Sequence, residues 1–248
     1  MIKIEKKSIV KYADVNSVRA EWKKVKNDIG NMSLVIELIK IGLRHFTRGY
    51  NKRAYAIQFD GLQRRSKKCK LIRGEVGIEK ILLEAKTCLI RRNDKTIKRL
   101  TFKTNAAYLE GKKQGNIIAD LFGLDEIGSP VAAEVKITDK GPWYAVVECI
   151  AQVVLLRGDR KELKKYIHQK LSKKVRARGS WGIVIAPLEY YANRQNEMVV
   201  VGKLIKGLEK NTEIRICCVS FNSSIDKRKD VAILNVVCGR PPLTRVFK

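Results

Sequence analysis

Asp120 stands fourteen residues before the triplet Glu134-Val135-Lys136, and the stretch joining them constrains the fold more than any other part of the chain. Residues 116–123 (Asn-Ile-Ile-Ala-Asp-Leu-Phe-Gly) and 130–137 (Pro-Val-Ala-Ala-Glu-Val-Lys-Ile) form two apolar arms. Asp125, Gly128 and Ser129 supply turn chemistry between them, so the stretch reads as a β-hairpin. A hairpin centred near Ile127 sets Asp120 almost opposite Glu134. Side chains alternate faces along a strand, so Glu134 and Lys136 share a face while Val135 turns away. Two carboxylates and an ammonium then meet on one patch. That is a site for a hard cation with a positive group beside it, which phosphodiester hydrolysis can use. An acid and a base at i, i+2 also occur on ordinary half-exposed strands. The apolar run from Val131 to Ile137 argues against that alternative, because a charge buried within it has to be paired or coordinated.

The flanking segments give this hairpin a setting. Trp143 to Arg157 has helical periodicity, with Val146, Val147, Ile150, Val153 and Val154 on one broad face and Pro142 at the start. Tyr144, Glu148 and Gln152, spaced four apart, form a narrow polar stripe on it. Residues 181–186 and 213–221 read as two further strands. Upstream, Val76 to Arg92 reads as a helix carrying Glu79 and Glu84. Asn16-Ser17 can cap a first helix running through Trp22 to Asp28; Gly30-Asn31 breaks it, and Ser33 starts a second. Arg44, Arg48, Lys52 and Arg53 follow, interleaved with Tyr50 and Tyr55, and then a basic loop with Arg64, Arg65, Lys67 and Lys68. The chain divides on this reading into a basic, mainly helical region, residues 1–74, and a core, residues 75–248. The first region either grips phosphates or covers the sheet and exposes a charged face.

Composition bears on the partner. The chain has 52 Lys and Arg against 25 Asp and Glu, a net charge of +27 over 248 residues. Ten of the basic residues lie between Arg44 and Arg73 with Asp60 as their single acid, and nine between Arg160 and Arg178 with Glu162. The latter group includes Lys173, Lys174, Arg176 and Arg178. Such an excess makes a polyanion the expected partner, bound with a steep dependence on salt. No run of 18 apolar residues and no signal-peptide pattern occurs, so the expectation is a cytoplasmic protein with no membrane span. Six cysteines form no C-x-x-C pair and there are two histidines, which speaks against a structural zinc site.

Asp120, Glu134-Val135-Lys136 and the following helix with Gln152 resemble the PD-(D/E)XK nuclease superfamily in pattern and order, over roughly residues 75 to 221. The resemblance implies an α/β fold: a central mixed β-sheet flanked by helices, as in restriction endonucleases. It implies a DNA endonuclease in which Asp120 and Glu134 hold Mg²⁺, for which Mn²⁺ substitutes, and Lys136 assists the attacking water. Gln152 matches a glutamine that some branches carry, although the tyrosine often found four residues later is Leu156 here. A glutamate on a preceding helix is common in the family, and Glu84 is favoured for it. Double-stranded DNA is the implied substrate and a homodimer the implied assembly. A non-catalytic nucleic-acid-binding protein and an RNA-directed nuclease stay open as alternatives.

Overall fold

The computed structural model describes residues 15–51, 55–59, 74–110, 113–137, 140–158, 179–221 and 231–242. Two helices come first, α1 (Val15–Asn27) and α2 (Met32–Asn51), followed by strand β1 (Tyr55–Phe59) and helix α3 (Gly74–Glu84). Four strands follow: β2 (Thr87–Arg92), β3 (Lys95–Glu110), β4 (Lys113–Asp125) and β5 (Pro130–Val135). Helix α4 (Pro142–Gly158), strand β6 (Trp181–Pro187), helices α5 (Leu188–Ala192) and α6 (Gln195–Asn211), and strands β7 (Ile216–Phe221) and β8 (Val231–Gly239) complete the order.

The expected open mixed sheet flanked by helices is not what the chain builds. The strand order β3-β2-β8-β7-β6-β5-β4 returns to its start, because β3 pairs with β4 as well as with β2. Seven strands therefore close into a mixed barrel, and β1 is added to the outer part of β3. The closure depends on the length of β3. Its first residues pair with β2 (Cys88↔Leu100), and from Leu100 onward it pairs with β4 (Leu100↔Asp125). Bulges interrupt that second ladder at three places, which lets the strand bend from one neighbour to the other. The segment 87–92, read from sequence as the end of a helix, is strand β2; α3 stops at Glu84.

Alternation sorts each strand between two cores. Leu100 and Phe102, Leu121, Val131 and Ala133, Ile183 and Ile185, Cys217 and Val219, Ala232 and Leu234 belong with Cys88 and Ile90 to one buried cluster. All seven ring strands contribute, so this cluster is the filled barrel interior. Ile78 and Leu82 of α3 join it. The outward residues Phe122, Leu124, Ala132, Val184 and Cys218 join a second cluster with α4, α6 and the first two helices. Helix α4 is apolar nearly all round because it lies between the barrel wall and these helices. Trp22 and Val25 of α1, and Val35, Leu38 and Ile39 of α2, pack in that same core, and the Trp143 indole donates to the Val25 carbonyl at 2.9 Å. Among the described residues no helix is long and apolar enough to cross a membrane.

The β4–β5 turn is built as its residues suggest. Asp125 Oδ1 accepts from the backbone of Ile127 (3.1 Å) and Ser129 (2.7 Å), and Gly128 takes φ +80°, which suits glycine.

Candidate functional site

Strands β4 and β5 are antiparallel with Leu121 opposite Ala133, which puts Asp120 directly opposite Glu134. Both lie on the outward side of the barrel wall. Beyond the end of β5 the chain is held to β6 by the Lys136 backbone N–H donating to Ile185 O at 3.0 Å. The Lys136 ammonium turns back onto Glu134 and forms a close ion pair with it. Helix α4 roofs the site with the polar stripe. The Gln152 amide donates to Glu134 Oε2, and Glu148 Oε2 stands 3.6 Å from Lys136 Nζ. Glu134 and Gln152 are each only 2% exposed. Asp120 is fixed from another direction, its Oδ2 accepting from the Val135 N–H at 2.8 Å. The sequence-predicted residues Asp120, Glu134, Lys136 and Gln152 thus meet in one cluster.

Three further residues complete it. Glu148, seen in the sequence only as part of a stripe, bridges Lys136 and Lys26 of α1, accepting from the latter at 2.7 Å. Glu75, in the first turn of α3, accepts from the Ile137 N–H at 3.3 Å and adds its negative charge to the field at Asp120. The acid that α3 brings to the site is therefore Glu75. Glu84 points elsewhere, its side chain 65% exposed and 3.8 Å from Lys80 one turn back. A helix whose start is misplaced hides its first-turn acid, and Gly74-Glu75 was the available signal for that start. Lys26, by contrast, gave no local signal; it reaches Glu148 from 122 residues away.

The electrostatics of this cluster follow from burial and crowding. Burial pushes the Asp120 carboxyl up to about 6, against the Val135 hydrogen bond and the Lys136 charge that pull it down. Burial raises Glu134 strongly, and the negative charges of Asp120 and Glu148 add to the rise. Burial alone would lower Lys136, but the Glu134 carboxylate overrides it and holds the ammonium protonated. Glu148 is held below its usual range: burial would raise it, and Lys26 prevails. Carboxylates outnumber ammonium groups at this spot, so the field favours one more positive charge.

That donor set fits a magnesium ion. Magnesium is usually held by one or two carboxylates, with water and substrate phosphates filling its remaining positions. Asp120 and Glu134 are the two that would hold it. Among the described residues no group of three or more His, Cys, Asp and Glu side chains is disposed to hold a metal by itself. Each cysteine in the described core (Cys88, Cys149, Cys217, Cys218) is a buried thiol whose ionisation burial suppresses, which removes it as a nucleophile.

Lys52, Arg53, Arg64, Arg65, Lys67, Lys68, Lys173, Lys174, Arg176 and Arg178, proposed from sequence as phosphate contacts, lie outside the described residues. Arg44 and Arg48 fall on the backbone of α2. Comparison with protein-family models, curated proteins and solved structures finds no match for the chain.

Proposed function

We propose that this protein is a metal-dependent nuclease that hydrolyses phosphodiester bonds of nucleic acid, most simply a DNA endonuclease. The observation that carries the reading is the pair of opposed carboxylates, half-buried Asp120 and buried Glu134, with the Lys136 ammonium on the same face. It rests on the site alone, since the closed barrel is not the sheet of the restriction-endonuclease-like fold. When bound, Mg²⁺ or Mn²⁺ supplies charge neutralisation at the non-bridging oxygens and a lowered pKa for water. Gln152 fixes the orientation of Glu134, and the Val135 N–H fixes Asp120, so the two carboxylates are preorganised. Lys136 is protonated here, which makes it a hydrogen-bond donor to a phosphoryl oxygen or to the attacking water and not a general base. The net charge of +27 brings the polyanion to the protein. Cleavage of both strands by one such centre per chain calls for two copies, so a homodimer belongs to the proposal.

The charge by itself also suits a second reading, a basic nucleic-acid-binding protein in which Glu134 and Lys136 merely neutralise each other. Cleavage of plasmid, linear duplex, single strand and RNA with Mg²⁺ or Mn²⁺ separates the two. Glu134→Ala should abolish cleavage and leave duplex affinity unchanged or higher, because without metal the carboxylate only repels phosphate. Lys136→Ala should slow cleavage severely and weaken binding by no more than one phosphate contact. Tight duplex binding by wild-type protein with no cleavage of any substrate would leave the binding reading standing.

A further inference from the structure

The stripe on α4 leads outward from the buried cluster, and each four-residue step along it covers about 6 Å. Gln152 is buried against Glu134. Glu148, one step out, is shared between Lys136 and Lys26. Tyr144, one step further, carries Lys26 Nζ 4.9 Å and Lys140 Nζ 5.6 Å from its ring centroid. Two ammonium groups, one from α1 and one from the segment that leads into α4, thus converge on one aromatic ring beside the candidate site. Lys140 is exposed, yet its backbone is pinned, with the Tyr190 hydroxyl donating to its carbonyl at 2.6 Å. Lys26 is held by Glu148 at 2.7 Å and is only 15% exposed, so its side chain is ordered before any ligand arrives.

We propose that Lys26, Lys140 and Tyr144 form a binding site for a phosphate of the nucleic-acid strand next to the one cleaved, with Glu148 occupying the place of that phosphate in the free protein. The proposal rests on the nuclease reading for its substrate class. An ammonium already ordered by a carboxylate loses little side-chain entropy when a phosphate oxygen takes the carboxylate's place. The exchange also leaves Glu148 with Lys136 as its remaining cation, 3.6 Å away. Through Lys26 this site is the point at which the N-terminal helices reach the candidate centre. It assigns that region a part in gripping substrate that the packing of α1 and α2 against α4 does not by itself require.

The placeholder role predicts opposite signs for the two partners of one ion pair. Binding of a short labelled DNA duplex, measured by fluorescence anisotropy without divalent metal across a salt series, reads this out. Lys26→Ala should weaken binding about tenfold at low salt and lower the slope of log affinity against log salt by about 1. Glu148→Gln should tighten binding several-fold, because it releases Lys26 from its ion pair. The double variant should bind like Lys26→Ala alone, since the gain from Glu148→Gln acts through Lys26. Lys140→Ala should weaken binding in the same direction as Lys26→Ala. A purely structural ion pair would give equal or weaker binding for Glu148→Gln and an unchanged salt slope for Lys26→Ala, and either result overturns the proposal. Circular dichroism melting of each variant identifies any that fails to fold, and Lys26→Gln then replaces Lys26→Ala. Metal-free binding is independent of chemistry, so a protein that passes this test but never cleaves sinks the nuclease reading and keeps this site.

Discussion

Taking an ammonium group out of water costs several kcal/mol unless its partners replace the hydration, and Lys98 is buried completely. Its Nζ lies 3.2 Å from Asp125 Oδ2 and 3.1 Å from Glu126 Oε1 at the β3–β4 junction, with Asp125 equally inaccessible. Asp125 also organises the hairpin turn through two backbone N–H groups, so this pair ties the turn to the barrel wall. Lys98→Met should strand the Asp125 carboxylate and destabilise the protein by about 3–5 kcal/mol. Urea unfolding of Lys98→Met, and of Lys98→Met with Asp125→Asn, checks it. The double variant should lose less than Lys98→Met alone, because asparagine keeps the Oδ1 acceptor without the charge; a larger loss would mean the pair is not coupled. Lys98 also explains why β3 was illegible. Lys98, Leu100 and Phe102 share the inward face, and a lysine at the first of those positions breaks the apolar alternation that marks a strand.

At the scale of elements, the seat of α4 on the barrel decides where Glu148 and Gln152 arrive. Gly182 of β6 makes that seat possible. A Cβ there would come within 2.5 Å of Cys149 Sγ, 2.6 Å of Ile216 Cδ1 and 2.9 Å of Val153 Cγ2. Two of those atoms belong to α4, so Gly182→Ala should push the helix off the wall. The expected loss is about 1–3 kcal/mol, typical of overpacking in a tight core. It should be accompanied by reduced cleavage, since Gln152 would no longer meet Glu134. Thermal melting and the cleavage assay together check this; unchanged stability would mean that the helix can move away from the wall without loss of packing. The existence of α4 and its polar stripe were readable from the 3.6-residue period of residues 143–157. Its depth was not. That depth depends on a glycine in a strand formed later in the chain.

For the molecule as a whole, the barrel interior and the core between its wall and the helices seal in many groups able to ionise. Burial pushes the Cys88 thiol from 9.0 up to about 12, and the buried Cys149, Cys217, Cys218 and Tyr191 hydroxyl shift the same way. In the unfolded chain these groups ionise at their ordinary values. The stability from keeping them neutral is fully present below the unfolded value and is lost as pH rises from 9.0 through about 12. The protein should therefore unfold at lower urea concentration near pH 11 than near neutrality, and Cys88→Ala should flatten that dependence (about one ionisable group's share). An identical midpoint at both pH values would show that water reaches these thiols and the Tyr191 hydroxyl in the folded protein.

What the amino-acid sequence determined by itself was local. The two arms of the hairpin, the turn at Asp125 to Ser129, the shared face of Glu134 and Lys136 and the stripe on α4 all follow from periods of 2 and 3.6 residues and from turn chemistry. These features involve neighbours close in the chain, where backbone geometry leaves few choices. Tertiary structure alone decided the ring. Thr87 of β2 lies beside Val231 of β8 in a parallel pair, and β3 bends to serve two partners. No periodicity says which strand edges will meet across a long loop; that choice rests on the total surface they bury together. The same distinction runs through the site. Asp120 and Glu134 were legible because one hairpin carries both, whereas Glu75 and Lys26 are delivered by helices whose placement around the barrel is a property of the folded molecule.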